Sequence, residues 1–497
     1  MIRSLRHDWP LLLTGCFALI WIVHRAQVQS ITFDEANPFH AFVAHGGVWQ
    51  AASNNHVLNS ILIRLFVQLF GLSHLTMRAP ALLGGAIYIL AVYRLCTLLS
   101  RNVTLTWPLF VCFVYNPFVM DYLVAARGYG LALGFFSLAV YLTVGMLLHL
   151  DAASEREIMN RAASISICAA LSFCANFSYA YVNAALIAVL FAWTCFKTIK
   201  QRPLACARLA FACVVPAGLV VLVLTGPVLA RFPRSELYWG AHSLEQMWQC
   251  IYRTSFAPNE HWVPPMLAGF LHAVQPQLVE AVFCLPTVYL ALLFLNPKLR
   301  GSQAWSRLRI AGSVTTVLGL TLSHWLQFRF LQIPLPLDRT SLFIIPLVVL
   351  IVGAVLSVTP ATSFERAVRG LGILVAASFI GSLRDSYFQE WKGYGADVRA
   401  AFPAIVDLSR RAAVREITAD WKYAPSLNFY RILYAANGLD QFRNFEKIPP
   451  GQLIYVLPSA EYKELIRTEG LQVVYRGAIS DLVIAIKSGP VPRNEVP

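Results

Sequence analysis

The chain has 497 residues, 57% of them hydrophobic and only 13% charged, with a mean hydropathy of +0.58, which excludes an ordinary soluble globular protein and makes the bilayer the solvent for most of it. The formal charge of +14 divides into +12 for residues 1–383 and +2 for residues 384–497, and the excess is spread over short connecting segments, so it offers no case for a nucleic-acid face. Ten cysteines could suggest a disulfide scaffold, but nine lie in or beside apolar stretches and the last 114 residues have none, which argues against such a framework.

Apolar stretches long enough to cross roughly 30 Å of hydrocarbon at about 1.5 Å per residue occur at 10–28, 79–99, 105–123, 128–149, 162–178, 181–197, 208–229, 276–296, 308–326, 341–358 and 367–383. The sequence therefore predicts a polytopic α-helical membrane protein of about eleven transmembrane helices. The first stretch lacks a small-residue cleavage site and is flanked by Arg3 and Arg6, so it reads as a retained helix with the N-terminus inside. Eleven alternating spans put sixteen Lys and Arg on nominally cytoplasmic segments and nine on the longer outer ones, the asymmetry expected of an inner-membrane protein in this orientation.

Two outer segments are too long to be simple connectors, 29–78 and 231–275. Within the first, Val57 to Gly71 is apolar but short and carries Asn59, Arg64 and Gln68, which suits a helix lying along the interface. The second is rich in Tyr238, Trp239, Trp248, Tyr252, Trp262, Pro264 and Pro265, the composition of an interfacial belt or of a sugar-stacking surface.

After Arg384 the composition turns soluble. A helix at 395–413, a strand over 414–418, a helix at 426–437 closed by Gly438, a strand at 452–457, a helix at 459–469 closed by Gly470 and strands at 471–476 and 481–487 predict a small extracytoplasmic α/β domain over 384–490, followed by a tail at 491–497. The transmembrane domain with both outer loops covers 1–383. Nucleotide-binding and zinc-ligand spacings are absent from the sequence.

Asp34 and Glu35 are the only acids between residues 9 and 120 and follow the first span directly. A carboxylate held there could act as a general base toward a hydroxyl or hold a divalent cation; the alternative is a helix-capping or solvated pair. Asn54, Asn55 and His56 precede the interfacial helix and supply hydrogen-bonding groups at head-group depth, with capping as the alternative for the asparagines. Asp121, Arg127 and Tyr129 fall at the turn between the third and fourth spans, where an arginine is costly unless it pairs with an acid or a lipid phosphate. Arg329 and Arg339 flank the outer side of the tenth span, with Asp338 beside Arg339. The middles of the spans carry almost no ionisable residue, which argues against an ion-coupled transporter.

In the order Asp34-Glu35, Asn55-His56-Val57-Leu58, Arg78-Ala-Pro-Ala-Leu-Leu-Gly and Asn116-Pro through Arg127-Gly-Tyr129, the chain resembles the integral-membrane C-type (GT-C) glycosyltransferase superfamily, in its bacterial branch of protein mannosyltransferases and aminoarabinose transferases. The resemblance covers residues 10–150 and, more loosely, 300–490. It implies inverting transfer of a sugar from a polyprenyl-phosphate donor to a lipid, glycan or protein acceptor on the outer face of the cytoplasmic membrane. Asp34 and Glu35 would be catalytic, and Asn55, His56, Asp121, Arg127, Tyr129 and Arg339 would bind substrate. Where the family carries an acid two residues before its arginine this chain has Ala125, and its prolines after the histidine are here Val57 and Leu58. That departure leaves dependence on a divalent metal cation open, with no other cofactor implied. The competing readings are a lipid or oligosaccharide transporter, and an inactive membrane scaffold with a binding domain.

Overall fold

The computed structural model describes residues 2–198, 203–233, 236, 239–255, 303–322, 330, 334–358, 363–384 and 395–487. The chain forms two compact units, one of residues 1–23, 49–59 and 79–383, the other of residues 24–48, 60–78 and 384–497. The expected span at 276–296, Arg329 and most of the aromatic outer loop lie outside the described residues.

The helices in chain order are α1 (Ile2–Val28), α2 (Phe33–Pro38), α3 (Val57–Phe70), α4 (His74–Leu99), α5 (Val103–Val114), α6 (Pro117–Tyr122), α7 (Tyr129–His149), α8 (Glu155–Ala175), α9 (Ala180–Thr198), α10 (Pro203–Leu229), α11 (Leu244–Ser255), α12 (Gln303–Leu322), α13 (Ile344–Leu356), α14 (Ser363–Gly381), α15 (Val398–Ala412), α16 (Ala424–Leu433) and α17 (Lys463–Thr468). Among the described residues seven stretches, Asp8–Val28, His74–Leu99, Tyr129–His149, Glu155–Ala175, Phe177–Cys195, Ala205–Leu229 and Asp338–Leu356, are long and apolar enough to cross a membrane. Val57–Phe70, Val103–Val114 and Arg369–Gly381 are shorter apolar helices. The protein is thus a polytopic α-helical membrane protein with a small C-terminal sheet domain, and its described residues do not reach the predicted eleven spans.

The clearest departure is the third predicted span, 105–123, which breaks into α5 and α6 at Tyr115-Asn116. Pro117 has no N–H to give to the carbonyl of Phe113, one helical turn earlier, and Tyr88 supplies the missing donor with its hydroxyl at 2.7 Å. Asn116 then starts α6 as its N-cap, its Oδ1 accepting from the amides of Phe118 at 3.0 Å and Val119 at 3.3 Å. An Asn-Pro pair is a helix start signal, and here it outweighs the continuous apolar run.

A second proline is also met by a hydroxyl from a neighbouring helix. Pro216 lies within α10, and a side-chain bridge from α8 spans the turn around it. The Ser166 hydroxyl donates to the Cys213 carbonyl at 2.6 Å and accepts from the Ala217 amide at 3.1 Å. Such repair is what hydrocarbon demands of a broken backbone. α4 and α7 approach still more closely, because a Cβ on Gly84 would lie 2.4 Å from Leu131 Cα, and one on Gly134 2.4 Å from the Gly84 carbonyl oxygen.

In the other unit, β1 (Thr418–Asp420), β2 (Asn444–Phe445), β3 (Ile454–Pro458), β4 (Leu471–Arg476) and β5 (Leu482–Lys487) form one sheet in the order β2-β1-β3-β5-β4. β1 pairs in parallel with β2 and β3, while β5 is antiparallel to β3 and β4. The predicted strand over 414–418 slides forward to β1, and the two-residue β2 escapes a periodicity argument altogether. α16 ends at Leu433 with Ala435 at φ 49°, ahead of the predicted stop at Gly438. Gly470, at φ +60°, does close the helix before β4.

Replacing Gly84 by alanine is expected to lower stability by about 1–3 kcal/mol through forced separation of α4 and α7, read as a reduced thermal unfolding midpoint in detergent; an unchanged midpoint would show that the helices do not depend on this approach.

Candidate functional site

Asp34 and Glu35 lie in the first turn of α2, and a capping box explains why this short helix starts where it does. Thr32 is the N-cap, its Oγ1 accepting from the Glu35 amide at 3.3 Å while Glu35 Oε2 accepts from the Thr32 amide at 3.0 Å. The capping alternative therefore holds for Glu35, and the same carboxylate has a larger partner. Arg78, the fifth residue of α4, donates Nε to Oε1 at 2.8 Å and Nη2 to Oε2 at 2.7 Å, both side chains being fully buried. Its remaining N–H groups reach the carbonyls of Ala26 and Gln29, each at 3.0 Å, and Ser30 at 2.8 Å. All five donors of the guanidinium are engaged.

The segment held by Arg78 is also anchored to the C-terminal part of the unit. The Ile31 amide donates to the Tyr430 hydroxyl at 2.9 Å. Ser30 Oγ donates to the Ala396 carbonyl at 2.7 Å, and Arg399 Nη1 donates to the Val28 carbonyl at 3.0 Å. α2 packs on α16, with Phe39 edge-on to Phe429 at 5.5 Å and the Phe33 ring 5.3 Å from Trp421. His40 Nε2 donates to the Pro425 carbonyl at 3.0 Å; burial holds its pKa below the ordinary imidazole range, although that bond opposes the shift. Asp34 stands in the middle of this scaffold at 9% exposure.

The other predicted site residues gather in the first unit. Asn55 Nδ2 donates to the Gln50 carbonyl at 2.8 Å, and the Ser53 amide donates to Glu236 at 2.8 Å, which shapes the turn ahead of His56. The His56 ring lies 5.3 Å from Tyr129, edge-on, and Tyr129 lies 5.1 Å from Tyr122. Asn59 Nδ2 reaches the Ala126 carbonyl at 3.3 Å, holding the turn that carries Arg127. Gly128 closes that turn at φ +74°, and a Cβ there would lie 2.3 Å from the Ala175 carbonyl and 2.9 Å from His56 Cβ. Asp121 is buried on α6, and its carbonyl accepts from the amides of Val124 and Ala125 at 3.2 and 3.0 Å.

Arg339 sits on the turn before α13, with its guanidinium 5.7 Å over the Trp239 ring. Asp338 beside it has φ 46°, and its carboxylate accepts from the Cys250 thiol at 2.5 Å and lies 3.8 Å from Arg253. His56 is buried with neither ring nitrogen hydrogen-bonded. Burial, then the charges of Arg127 and Arg339, hold its pKa well below the ordinary range. This unit thus brings together a neutral imidazole, two arginines and a tyrosine, a set suited to a phosphate ester with a sugar attached. Among the described residues no three His, Cys, Asp or Glu side chains converge as metal ligands.

Reasoning from the sequence missed Arg78, Thr32, Asn59 and Tyr430. Arg78 had a signal of its own, since an arginine at the mouth of an apolar span requires a partner.

Substituting Glu35 by alanine leaves the Arg78 guanidinium buried without its counter-charge and is expected to cost about 3–5 kcal/mol, measured as loss of thermal stability; a change below about 1 kcal/mol would refute the anchoring role. His56 prefers its neutral form in the folded state, so its contribution to stability is full above the ordinary pKa of 6.5 and declines as pH falls below it. The unfolding midpoint of His56→Gln should respond less steeply to acid than that of the parent, by at most about 1.4 kcal/mol per pH unit. Identical pH profiles would mean that His56 is solvated.

No family model and no curated protein matches this sequence. Among solved structures, the chain is similar to ArnT from Cupriavidus metallidurans bound to undecaprenyl phosphate, at 12% identity with a TM-score of 0.48, covering 97% of this chain and 98% of that one. It is likewise similar to ArnT from the same organism in the apo state, at 12% identity with a TM-score of 0.46, covering 96% and 97%.

Proposed function

We propose that the protein is a membrane glycosyltransferase that moves a sugar from a polyprenyl-phosphate donor to a hydroxyl-bearing acceptor at the outer face of the cytoplasmic membrane. The observation that carries this reading is His56, buried with two unpartnered ring nitrogens and within electrostatic reach of Arg127 and Arg339. An imidazole with both nitrogens buried and open, beside two arginines, suits a ligand that brings its own acceptor and donor. As a neutral imidazole it can give one N–H to a phosphoryl oxygen and accept a sugar hydroxyl with its other nitrogen.

In this reading the acceptor oxygen attacks the anomeric carbon and the bond from that carbon to the phosphate oxygen breaks. The polyprenyl phosphate departs with its charge held by Arg127 and Arg339, and the acceptor proton passes to a general base, the role that the family resemblance implies for Asp34. Displacement of this kind inverts the anomeric centre. Tyr129, with its ring against His56, lines the donor sugar, while Asn55 and Asp121 shape the turns on either side. Glu35 acts through Arg78, holding the α2 backbone that carries Asp34. No step is routed through a metal ion.

Transfer of radiolabelled sugar from a panel of polyprenyl-phosphate sugars, in membranes with matched protein amounts, tests the assignment. Asp34→Asn is expected to reduce transfer at least about 100-fold, and Arg127→Ala or Arg339→Ala by about 100- to 1000-fold. Undiminished transfer by Asp34→Asn removes that residue from the chemistry, and no transfer by the parent from any donor in the panel counts against the function itself.

A further inference from the structure

The C-terminal sheet holds a second group of polar and aromatic side chains that the proposed chemistry does not use. β1 and β3 are adjacent and parallel, and their connections leave on opposite faces of the sheet. β3 leads to α17, whose Leu465 and Ile466 pack on Tyr455, Leu457, Val483 and Ala485. β1 leads to α16, which packs with α15, and α15 packs against β5. Because β3 is buried along its whole length, α15 and α16 must cover the face that α17 does not. Two adjacent parallel strands whose connections diverge leave a crevice at their carboxyl ends, where open α/β sheets hold ligands.

The side chains at that edge suit a sugar. Asp420 ends β1 at 1% exposure, Oδ2 accepting from the Tyr462 hydroxyl at 2.9 Å and Oδ1 from the Lys422 amide at 3.0 Å. Lys422 pairs with Glu461 from the β3 connection and lies 5.7 Å from the Trp421 ring. Trp421 in turn meets Phe33, the residue before Asp34. Beside them the Tyr423 hydroxyl is fully buried without a hydrogen-bond partner, within electrostatic reach of Asp420, Asp481, Glu461 and Asp397. Folding alone leaves that phenol unsatisfied. Carboxylates outnumber cations here, which disfavours an anionic ligand. An indole ring next to a carboxylate, an ammonium and phenolic hydroxyls matches the alternating apolar and hydroxyl faces of a neutral pyranose.

We infer that the crevice formed by Trp421, Lys422, Glu461 and Tyr462 is a saccharide-binding subsite that takes a neutral, hydroxyl-rich part of the acceptor. The inference rests on the glycosyltransferase reading and gives its acceptor a chemical class. Trp421 stacks on the sugar ring, while Glu461 and Lys422 bind its hydroxyls.

Saturation-transfer NMR on the full-length protein in lipid nanodiscs, with maltotriose, cellotriose and chitotriose as probes, reads this site directly. The parent is expected to bind at least one trisaccharide, Trp421→Ala and Glu461→Gln to reduce that signal to background, and Asp34→Asn to retain it while losing sugar transfer. Glu461 is 55% exposed in its side chain, so its isosteric replacement preserves the fold even if Trp421→Ala does not. Failure of the parent to bind any of the three, or binding that survives Glu461→Gln and a folded Trp421→Ala, overturns the subsite. Retained transfer by Asp34→Asn overturns the catalytic assignment and leaves the binding result standing.

Discussion

A guanidinium removed from water keeps its charge, and so the chain around Arg78 has to supply an acceptor for each of its N–H groups. Three backbone carbonyls at and just after the end of α1 and both oxygens of Glu35 do so. The cost of desolvating two ions is several kcal/mol each, recovered only when geometry and secondary hydrogen bonds are nearly complete, and that requirement fixes the path of residues 26–35. The capping box that begins α2 draws on the same carboxylate. Asp34 therefore occupies a backbone that is specified on both sides.

The two groups of predicted site residues differ in how completely they are satisfied. Around Glu35 the hydrogen-bonding capacity is taken up by protein, the condition of a scaffold. Around His56 it is not, and both imidazole nitrogens are enclosed without a partner. Neighbouring arginines add to the effect of burial in keeping that ring neutral, so His56 presents one donor and one acceptor and no third positive charge. Full satisfaction marks what the fold needs, and the deficit marks what a substrate is expected to supply.

Much of this was legible in the sequence, where local rules sufficed. The long apolar helices follow from rise per residue against bilayer thickness, and the turn to polar composition after Arg384 marked the residues that carry the sheet. Boundaries that depend on single residues were harder: β1 starts four residues later than strand propensity suggested, and α5 ends where an asparagine and a proline overrule hydrophobicity. Asp34, His56, Arg127 and Arg339 could be singled out as polar groups at the ends of apolar runs. The division of labour between Asp34 and Glu35 could not, because Glu35 is defined by an arginine 43 residues away. The resting place of Asp338 was equally hidden, since Cys250 is 88 residues distant.

The helper groups at Pro117 and Pro216 share a chronology. The donor that satisfies Phe113 comes from α4, and the hydroxyl that bridges Cys213 and Ala217 comes from α8. In both cases the helper is synthesised before the segment it completes. Each imperfect helix thus enters a bilayer in which its complement is already present, so the order of elements along the chain spares both backbones a period of exposure to lipid. Moving either helper to a position after its client would leave every contact of the finished fold unchanged and remove that protection.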